Sequence, residues 1–364
     1  MSSSSSSSKT DRTYKDDQSR RLHRRRLRRP LREENEGGES SSSSSSECAS
    51  SGEVEEEGQQ FRARCRIAGT LTRTLEAIHD HSKSQIVTCR FSKDGIEFNI
   101  EESSKSLQAS VTLSSFMFQE IEYVGKEEEF QVRLCTHLLI ECLNVFGHSN
   151  IDNTSLAISC HSTSEIFSMI LEENGVVTEC ELITVAADET EENNFFDVFR
   201  KRNVLNRAII KSDRLRDAFM ELADLPGASA VCLTMSPREP RFRMEARGSL
   251  FTLTIDLTPA AIASADKESK TTQAGHDGTF IDFISEATQM YRYRVSSLRH
   301  VFRALGVARE TLVQINEDGM LMVDHMLREE GQSASKVFVH FVLFPLECAE
   351  EDQGEDAENG DGSS

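Results

Sequence analysis

One order of elements occurs twice between residues 61 and 346 of this 364-residue chain. In each half, alternating apolar and polar residues predict a strand, which is followed by a helix, several strands, a second helix and further strands. The halves do not match residue by residue, so the repeat is one of element order. Many antiparallel strands with two helices per half predict an α+β fold of two similar domains, with the helices segregated on one side of the sheets.

Apolar residues on one face predict four helices, and Ser212 has the side chain of an N-cap. The predicted helices are Thr70–Asp80, Cys135–Phe146, Ser212–Leu222 and Ser297–Gly306. The predicted strands of the first half are Arg64–Ala68, Gln85–Phe91, Ile96–Ile100, Ser106–Leu113, Phe116–Val124, Ser155–Cys160, Glu165–Leu171 and Gly175–Thr184. Those of the second half are Val204–Ile210, Ser229–Met235, Arg241–Ala246, Leu250–Asp256, Phe280–Val295, Thr311–Ile315, Met320–Met326 and Val337–Phe344.

Blocks of like charge set the predicted domain limits. Residues 20–32 hold eight arginines and no acid, 33–57 hold nine glutamates and no base, and 347–364 hold eight acids and no base. Such blocks bury too little apolar surface to fold, which predicts disordered tails at 1–60 and 347–364. Between them we expect two domains, 61–185 and 204–346, joined by a connector at 186–203. Residues 259–279 are expected to form a long loop.

The net charge of −20 is unevenly spread. Residues 61–190 carry 20 acids and 10 bases, whereas 191–346 carry 21 acids and 20 bases. An acidic chain binds DNA only where its bases gather on one surface. The nine cysteines form no C-x-x-C pair. Reduced, mostly buried thiols are therefore favoured over a metal or redox site, and no apolar run reaches membrane-spanning length.

Several segments resemble known clamp proteins. DGIEFNIEESSKSLQASVTL (94–113) and FVHFVLFPLECAEEDQGED (338–356) resemble the proliferating-cell nuclear antigen and its relatives. The segments LEENGVVTECEL (171–182), SDRLRDAFMEL (212–222), LTMSPREPRFRM (233–244) and ECLNVFG (141–147) are similar to the Rad-one/Rec-one family, a subunit of the nine-one-one checkpoint clamp. The resemblance covers residues 61–346.

The resemblance implies a DNA sliding-clamp fold and a nuclear, heterotrimeric ring with two homologous clamp subunits. It also implies double-stranded DNA through the ring, a clamp loader that opens it, and recruitment of checkpoint and repair proteins. No cofactor and no metal are expected. Within this family, the helices line the hole and the sheets form the outside.

Bases on the expected inner helices are candidates for contact with DNA. They are Arg73, Lys211, Arg214, Arg299 and Arg303, and the polar positions Thr74 and His300 accompany them. Arg299 and Arg303 are four residues apart and share one helix face. The second helix lacks such bases, because its polar positions are Thr136, His137, Glu141 and Asn144. Pattern alone favours the alternative of ordinary solvated charges, whereas the resemblance favours a role for Arg299 and Arg303.

Two further surfaces follow from the resemblance. The strands Gly175–Ile183 and Ser249–Asp256 are expected at subunit contacts, although sequence alone leaves open that both are interior strands. The contact residues are expected to be Val176, Val177, Leu250, Phe251 and Leu253. The connector, with acids at 188–192, is expected to lie over an apolar pocket for partner peptides. That pocket comprises Ile100, Leu107, Phe195, Phe196, Phe344 and Pro345. Alternatively, the phenylalanines pin the connector to the core.

The main rival interpretation is a nuclease, because members of the family have been described as exonucleases. Metal-dependent phosphodiester cleavage needs several converging carboxylates. The two Asp-x-Glu pairs, Asp266 with Glu268 and Asp356 with Glu358, fall in the predicted loop and tail. We therefore expect no catalytic residues and no enzyme activity. The arginine block 20–32 is a candidate nuclear-import signal or DNA-binding arm, or neither.

Overall fold

The computed structural model describes residues 58–66, 68–186, 194–258, 278–328 and 336–346. We refer to residues 58–186 as the first half and to residues 194–346 as the second half. Both predicted tails, except residues 58–60, lie outside the described residues. The connector acids at 188–192 and nearly all of the predicted loop, including Asp266 and Glu268, also lie outside them.

The first half contains nine strands and two longer helices among its described residues. They are β1 (Gln60–Cys65), α1 (Ala68–Ile78), β2 (Ile86–Ser92), β3 (Gly95–Glu101), β4 (Leu107–Ser114), β5 (Glu120–Val124), β6 (Glu129–Cys135), α2 (Thr136–Leu143), β7 (Ser155–His161), β8 (Ile166–Glu173) and β9 (Val176–Ile183). Short 3-10 turns occur at Ser115–Met117 and Ile151–Asn153.

The second half begins with a short helix and then repeats the same order. Its elements are α3 (Phe195–Arg200), β10 (Val204–Lys211), α4 (Ser212–Ala223), β11 (Ala230–Met235), β12 (Phe242–Arg247), β13 (Thr252–Leu257), β14 (Phe280–Ser285), β15 (Gln289–Arg294), α5 (Val295–Arg303), β16 (Ala308–Asn316), β17 (Leu321–Leu327) and β18 (Phe338–Leu343). A 3-10 turn at Ala304–Gly306 follows α5.

The strand order is identical in the two halves. The first half pairs β5-β1-β7-β8-β9 and β4-β3-β2-β6, and the second pairs β14-β10-β16-β17-β18 and β13-β12-β11-β15. All of these neighbours are antiparallel. The antiparallel pair β18–β4 joins the halves into one nine-stranded sheet. The predicted duplication of element order is therefore a duplication of topology.

The helices form one layer over the core. Contacts join α1 to α2, α4 to α5, and α1 to α5 across the two halves. Leu71, Leu75 and Ile78 bury the inner face of α1, and Leu298 and Val301 do so for α5. These positions are three or four residues apart, which puts them on one side of a helix. Burial of that apolar stripe stabilises helices whose length alone would leave them marginal in water.

Several predicted boundaries need correction. The predicted strand Arg64–Ala68 runs too far, because β1 ends at Cys65 and Ala68 already begins α1. Strand β6 was missed, since its polar residues sit beside a buried row of Phe130, Val132 and Leu134. The second predicted helix, expected to reach Phe146, ends at Leu143.

Three further corrections concern turns and caps. Phe116–Val124 divides into a 3-10 turn and β5, and Phe280–Val295 divides into β14 and β15, with Val295 already in α5. Ser212 is not an N-cap, because Lys211 occupies that position. The Ser212 hydroxyl is instead buried within 2.8 Å of the Thr311 hydroxyl. A tertiary partner thus replaces the local bond that the sequence predicted.

Candidate functional site

Among the residues that the structure describes, β9 and β13 each have no strand partner along one edge. β9 ends the first-half sheet, and β13 ends the four-stranded sheet of the second half. The alternative that both are interior strands is thereby excluded. Val176, Val177 and Phe251 are more than half exposed, and Leu250 is 94% exposed. Leu253 is half-buried against the core. Exposed apolar edges are liable to pair with another chain, and the role of these residues in subunit contact remains a prediction.

The direction of the β9 amides follows from its hairpin. Asn174 and Gly175, both with positive φ, form the two-residue turn between β8 and β9, a conformation in which glycine is favoured at the second position. At the far end, the Thr184 amide donates to the Glu165 carbonyl at 2.8 Å. Inward and outward amides alternate along an antiparallel strand. The amides of Val177, Glu179 and Glu181 therefore face the open edge.

The β18–β4 pair shows how such edges are filled within this chain. β18 occupies the place in the second half that β9 occupies in the first, and β4 corresponds to β13. Five residue pairs, from Val339↔Val111 to Leu343↔Leu107, form this junction, and their side chains on the core face are fully buried. β9 and β13 therefore correspond to the two strands of the β18–β4 junction, but each still has an open edge.

The predicted DNA-facing residues of the helix layer fall into different environments. Arg73 on α1 donates from Nη1 to Asp152 Oδ1 at 2.8 Å, in a pair whose arginine side chain is 24% exposed. Lys211 is half-buried at the start of α4, and Arg214 is exposed in its first turn. Thr74 does not belong to a polar face. It is fully buried and donates to the Thr70 carbonyl at 2.7 Å, a common bond for threonine inside a helix.

The arginines of α5 cap the ends of two other helices. Arg299 Nη2 donates to the Ala223 carbonyl at the end of α4, and Arg303 Nη1 donates to the His79 carbonyl just beyond α1. The last carbonyls of a helix lack partners within the helix and attract cationic donors. Both arginines remain more than a third exposed. Partial burial nevertheless lowers the pKa of Arg303 from its ordinary value.

His300 was predicted on the polar face of this helix, and that prediction is wrong. The ring is 5% exposed, with Nε2 2.6 Å from the Ile78 carbonyl at the end of α1. Burial lowers the pKa of His300, and the neighbouring Arg303 lowers it further. A neutral ring that donates this bond fits between the halves without a buried charge. His300 and Arg303 together tie α5 to α1.

Phe195 and Phe196, the phenylalanines of the connector, lie at the start of the short helix α3 and are buried. Asn194 accepts from the Phe196 amide at 3.0 Å and caps α3, which is the usual role of asparagine at this position. The Phe195 amide donates to Gln108 Oε1 at 2.8 Å, and its ring lies edge-on to Phe344 at 5.0 Å. Both phenylalanines are buried with Phe199, Met320 and Val342. They pin the start of the second half to the nine-stranded sheet.

The predicted peptide pocket therefore needs correction. Ile100 and Leu107 are fully buried in the main core, so their side chains cannot line a surface pocket. Phe344 and Pro345 are half-buried and border an open cleft of about 380 Å³. The cleft is lined by Ser106, Arg294, Ser297, Leu343, Phe344, Pro345 and Leu346. It remains a candidate docking place beside the connector.

Sequence reasoning missed the polar links between the halves. Glu102 Oε2 accepts from Ser104 at 2.7 Å, from Ser106 at 2.9 Å and from Ser297 of α5 at 3.1 Å. Nothing in the spacing of Glu102 and Ser297 could reveal the last contact, because it joins residues 195 positions apart. The acidic-serine stretch 101–106 was recognised from its resemblance, without its structural partner.

Within the described ranges, no three histidine, cysteine, aspartate or glutamate side chains come together so that they could hold a metal ion. The two Asp-x-Glu pairs lie outside those ranges. None of the helices that the structure describes is long and apolar enough to cross a membrane.

The duplicated topology is that of a DNA sliding clamp. The crystal structure of the PCNA2–PCNA3 complex from Sulfolobus tokodaii superposes with a TM-score of 0.58 at 13% identity, and the match covers 78% of this chain and 98% of that chain. By its fold, the molecule therefore belongs to the class of sliding clamps, which confirms the predicted fold.

Sequence relatives supply the family. The family model described as repair protein Rad1/Rec1/Rad17 matches residues 60–327. Identity is 32% to the Mus musculus cell cycle checkpoint protein RAD1, over 80% of this chain and 95% of that protein. It is 30% to the Homo sapiens protein of the same name, over 81% and 95%, and 26% to the Schizosaccharomyces pombe DNA damage checkpoint control protein rad1, over 80% and 88%. The chain belongs to the Rad1/Rec1/Rad17 family of repair proteins, as its sequence predicts, and is a DNA damage checkpoint protein with a sliding-clamp fold.

Proposed function

We propose that this protein is one of three subunits of a ring that encircles double-stranded DNA, with two homologous but different clamp subunits as its neighbours. The observation that carries the proposal is the pair of open strands, β9 and β13, which correspond to the filled junction β18–β4. A β9 strand of one subunit pairing with the β13-like strand of the next continues both sheets. Because β9 and β13 differ, the contact is head-to-tail and closes into a ring.

The apolar residues at each edge support such a joint. Val176, Cys180 and Leu182 alternate on the core side of β9, and Leu253 and Ile255 do so on β13. Each row is partly uncovered, and a neighbouring strand completes its burial. Glu179 and Glu181 on the other face of β9 oppose pairing of β9 with a second β9, because like charges would then stand close together.

Co-expression with two family-related clamp subunits tests this assembly. Light scattering of the purified complex is expected to give one copy of each chain. A stable ring made of this chain alone would overturn the heterotrimer. Absence of any complex with either neighbour would overturn the assignment of β9 and β13 as joint strands.

The helix layer is the proposed DNA-facing side. A sliding ring needs bases that meet phosphates without reading sequence. Arg214 and Arg299, with Lys211, Arg303 and Arg73 beside them, supply such bases mainly from the second half. Arg214 and Arg299 are exposed in this layer, and we propose them as the principal contacts.

The ring is further proposed to act as a platform and not as an enzyme. A clamp loader opens it at DNA, the protein works in the nucleus, and checkpoint and repair proteins dock at the cleft beside Phe344 and Pro345. The similarity to checkpoint proteins and, separately, to a solved clamp structure supports this role. A highly purified ring is expected to leave labelled DNA intact. Degradation that disappears in the D266A/E268A variant would establish the nuclease instead.

A further inference from the structure

Two cysteine thiols meet where α2 covers the free edge of the first-half sheet. Cys142 lies in the last turn of α2, and Cys180 lies in the middle of β9. Helix α2 packs against β9, and Cys180 shares the core-facing side of the sheet with Met169, its fully buried neighbour on β8. The Cys142 and Cys180 side chains interact with each other through a sulfur–sulfur hydrogen bond. Both cysteines are reduced and only partly buried.

This hydrogen bond makes the two thiols chemically unequal. By stabilising the thiolate, the bond from Cys142 lowers the pKa of Cys180 to about 7, even though partial burial acts in the opposite direction. The same bond and burial raise the pKa of Cys142. Cys180 is therefore the more readily ionised thiol of the pair, and the thiolate is the nucleophilic form of cysteine.

Other cysteines of the first half provide the contrast. Burial raises the pKa of the fully buried Cys89 and raises that of Cys160 to about 12. Such thiols are protonated at neutral pH and poorly reactive. Cys135 is as accessible as Cys142, and its thiol donates to the Lys83 carbonyl at 3.4 Å. Accessibility, thiolate character and a second thiol in contact coincide at Cys180.

We propose that Cys142 and Cys180 form a redox-active pair, which a peroxide converts into a disulfide between α2 and the edge strand β9. The Cys180 thiolate attacks one oxygen of hydrogen peroxide, the O–O bond breaks, and hydroxide leaves and is protonated to water. Cys180 is then a sulfenic acid. The Cys142 sulfur attacks the Cys180 sulfur, the S–S bond forms as the S–O bond breaks, and the departing hydroxide takes the Cys142 proton as a second water. Two thiols are oxidised and one peroxide is reduced, and a dithiol reductant reverses the step by exchange.

The Cys142–Cys180 disulfide would fix β9, a strand that is otherwise held by hydrogen bonds on one side only. β9 has a hydrogen-bonded neighbour in β8 and an open edge opposite. A covalent link from Cys180 to α2 closes a segment that spans the α2–β7 loop, β7, β8 and half of β9. It therefore limits opening of this edge. This consequence for subunit joining rests on the proposed function, whereas formation of the disulfide does not.

Peptide mapping of the full chain tests the pair directly. The reduced protein is treated with hydrogen peroxide, alkylated at intervals and mapped without reduction. The Cys142–Cys180 disulfide is expected as the earliest product, formed roughly ten times faster than oxidation of Cys135. The wild-type protein alone can overturn the proposal. It does so if Cys142 and Cys180 are recovered as separate alkylated thiols at peroxide doses that oxidise Cys135.

Three variants assign the roles of the thiols. C142S is expected to stop at a Cys180 sulfenic acid that dimedone traps, and C180S is expected to give neither crosslink nor adduct. The matched control C135S should form the disulfide at the wild-type rate. A crosslink of another pairing in the wild type, or equal dimedone labelling of Cys142 in C180S, would contradict the assignment.

Hydrogen exchange separates this inference from the proposed function. In the chain without partners, oxidation is expected to slow exchange of the β9 amides several-fold relative to those of β5, the other edge of the same sheet. If the disulfide forms and β9 is protected but no partner subunit binds in either redox state, the ring proposal fails alone. If a ring assembles and no disulfide forms, the redox inference fails alone.

Discussion

β9 and β18 occupy the same position in the two halves, but β18 is paired on both edges whereas β9 has one open edge. The core-face residues of β18, Val339 and Phe341, are fully buried because β4 pairs with the strand. On the core face of β9, Val176 is 57% exposed, and on its other face Val177 and Ile183 are 62% and 78% exposed. The topology around both strands is the same, so the difference comes from the neighbour and not from the strand. An exposed apolar edge in a duplicated fold is thus best understood by finding its filled counterpart within the chain.

The outer faces of the two strands show the same contrast. β18 carries His340 and Val342 there, whereas β9 carries Glu179 and Glu181. Charges on an open edge discourage indiscriminate pairing and leave a specific partner able to bind. β9 is therefore protected from the wrong neighbours, while β18, covered from both sides, needs no such protection.

The strongest test of this comparison is to block hydrogen bonding at the open edge of β9. In E179P, a proline removes one outward amide of β9, and the facing carbonyl of a neighbouring strand loses its donor. Binding of the adjoining clamp subunit is expected to weaken about 100-fold, as measured by titration of purified subunits.

The matched control for that experiment keeps the amide at the same position. E179A removes the same carboxylate as E179P but leaves the outward amide of β9 in place. E179A should therefore leave subunit binding nearly unchanged, and both variants should melt near the wild-type temperature. Equal loss of binding in the two variants would mean that the open edge of β9 is not used for pairing.

A buried histidine sharpens the difference between the two halves. His325 on β17 is fully buried, with Nδ1 2.9 Å from the Thr311 hydroxyl and Nε2 3.0 Å from the Val301 carbonyl. The equivalent strand of the first half, β8, carries the apolar residues Phe167, Met169 and Leu171 on this side. The second half therefore has a titratable group in its core where the first half has none among these residues.

Acid is accordingly expected to destabilise the second half. Burial lowers the pKa of His325 to about 3, so the unfolded state, with a pKa near 6.5, takes up the proton first. The contribution of His325 to stability is complete above about pH 6.5 and is lost as the pH falls toward 3. At pH 5 the loss is about 2 kcal/mol. Urea unfolding at pH 7.5 and pH 5 measures it, and H325Q should reduce the difference between these pH values. An unchanged difference would exclude His325 as its source.

The two arginine caps of α5 give a smaller test. Arg303 crosses from the second half to the end of α1, whereas Arg299 stays within its half at the end of α4. The sequence placed both arginines on a solvated or DNA-facing helix face, whereas Arg303 also has this structural bond between the halves. R303A should lower the free energy of unfolding by about 2 kcal/mol, and R299A by about half of that, because the Arg299 side chain is 54% exposed and its bond stays within one half. Denaturant titrations of both variants decide this, and a larger effect of R299A would reverse the assignment.

The smallest expected effect concerns DNA. Arg214 on α4 is exposed in the helix layer, whereas α2 of the first half presents the exposed Glu141. R214A in the assembled ring should reduce the dependence of log affinity on log salt by about 0.9 if the arginine meets one phosphate. E141A should leave that slope nearly unchanged. A salt series with primed DNA of two sequences measures both, and an unaltered slope in R214A would make this arginine a solvated charge.

Local pattern was sufficient to predict most strands and all four longer helices. Alternation of apolar and polar residues identifies β2, β3, β7 and β8 within two residues of their observed ends. A strand with one buried face needs an apolar residue at every second position. Helix positions follow for the same reason, from stripes such as Leu215, Phe219 and Leu222.

Features that depend on distant contacts could not be predicted in this way. The bonds of His300 and Arg303 to the end of α1 join residues more than 220 positions apart. Their spacing within α5 matches a solvated face equally well, so sequence placed them with the DNA-facing residues. Ile100 and Leu107 were assigned to the pocket by resemblance, although their alternation with polar neighbours is that of core positions.

The β18–β4 junction also has a consequence for synthesis of the chain. β4 is complete once residue 114 has emerged, but its partner β18 begins only at Phe338. Throughout the intervening translation the first half can fold, yet β4 has an open edge beside the one at β9. A nascent or truncated chain that stops before Phe338 therefore exposes one additional unpaired edge strand, β4. Its tendency to aggregate depends on where translation ends. The last strand to be made is the one that closes the first half.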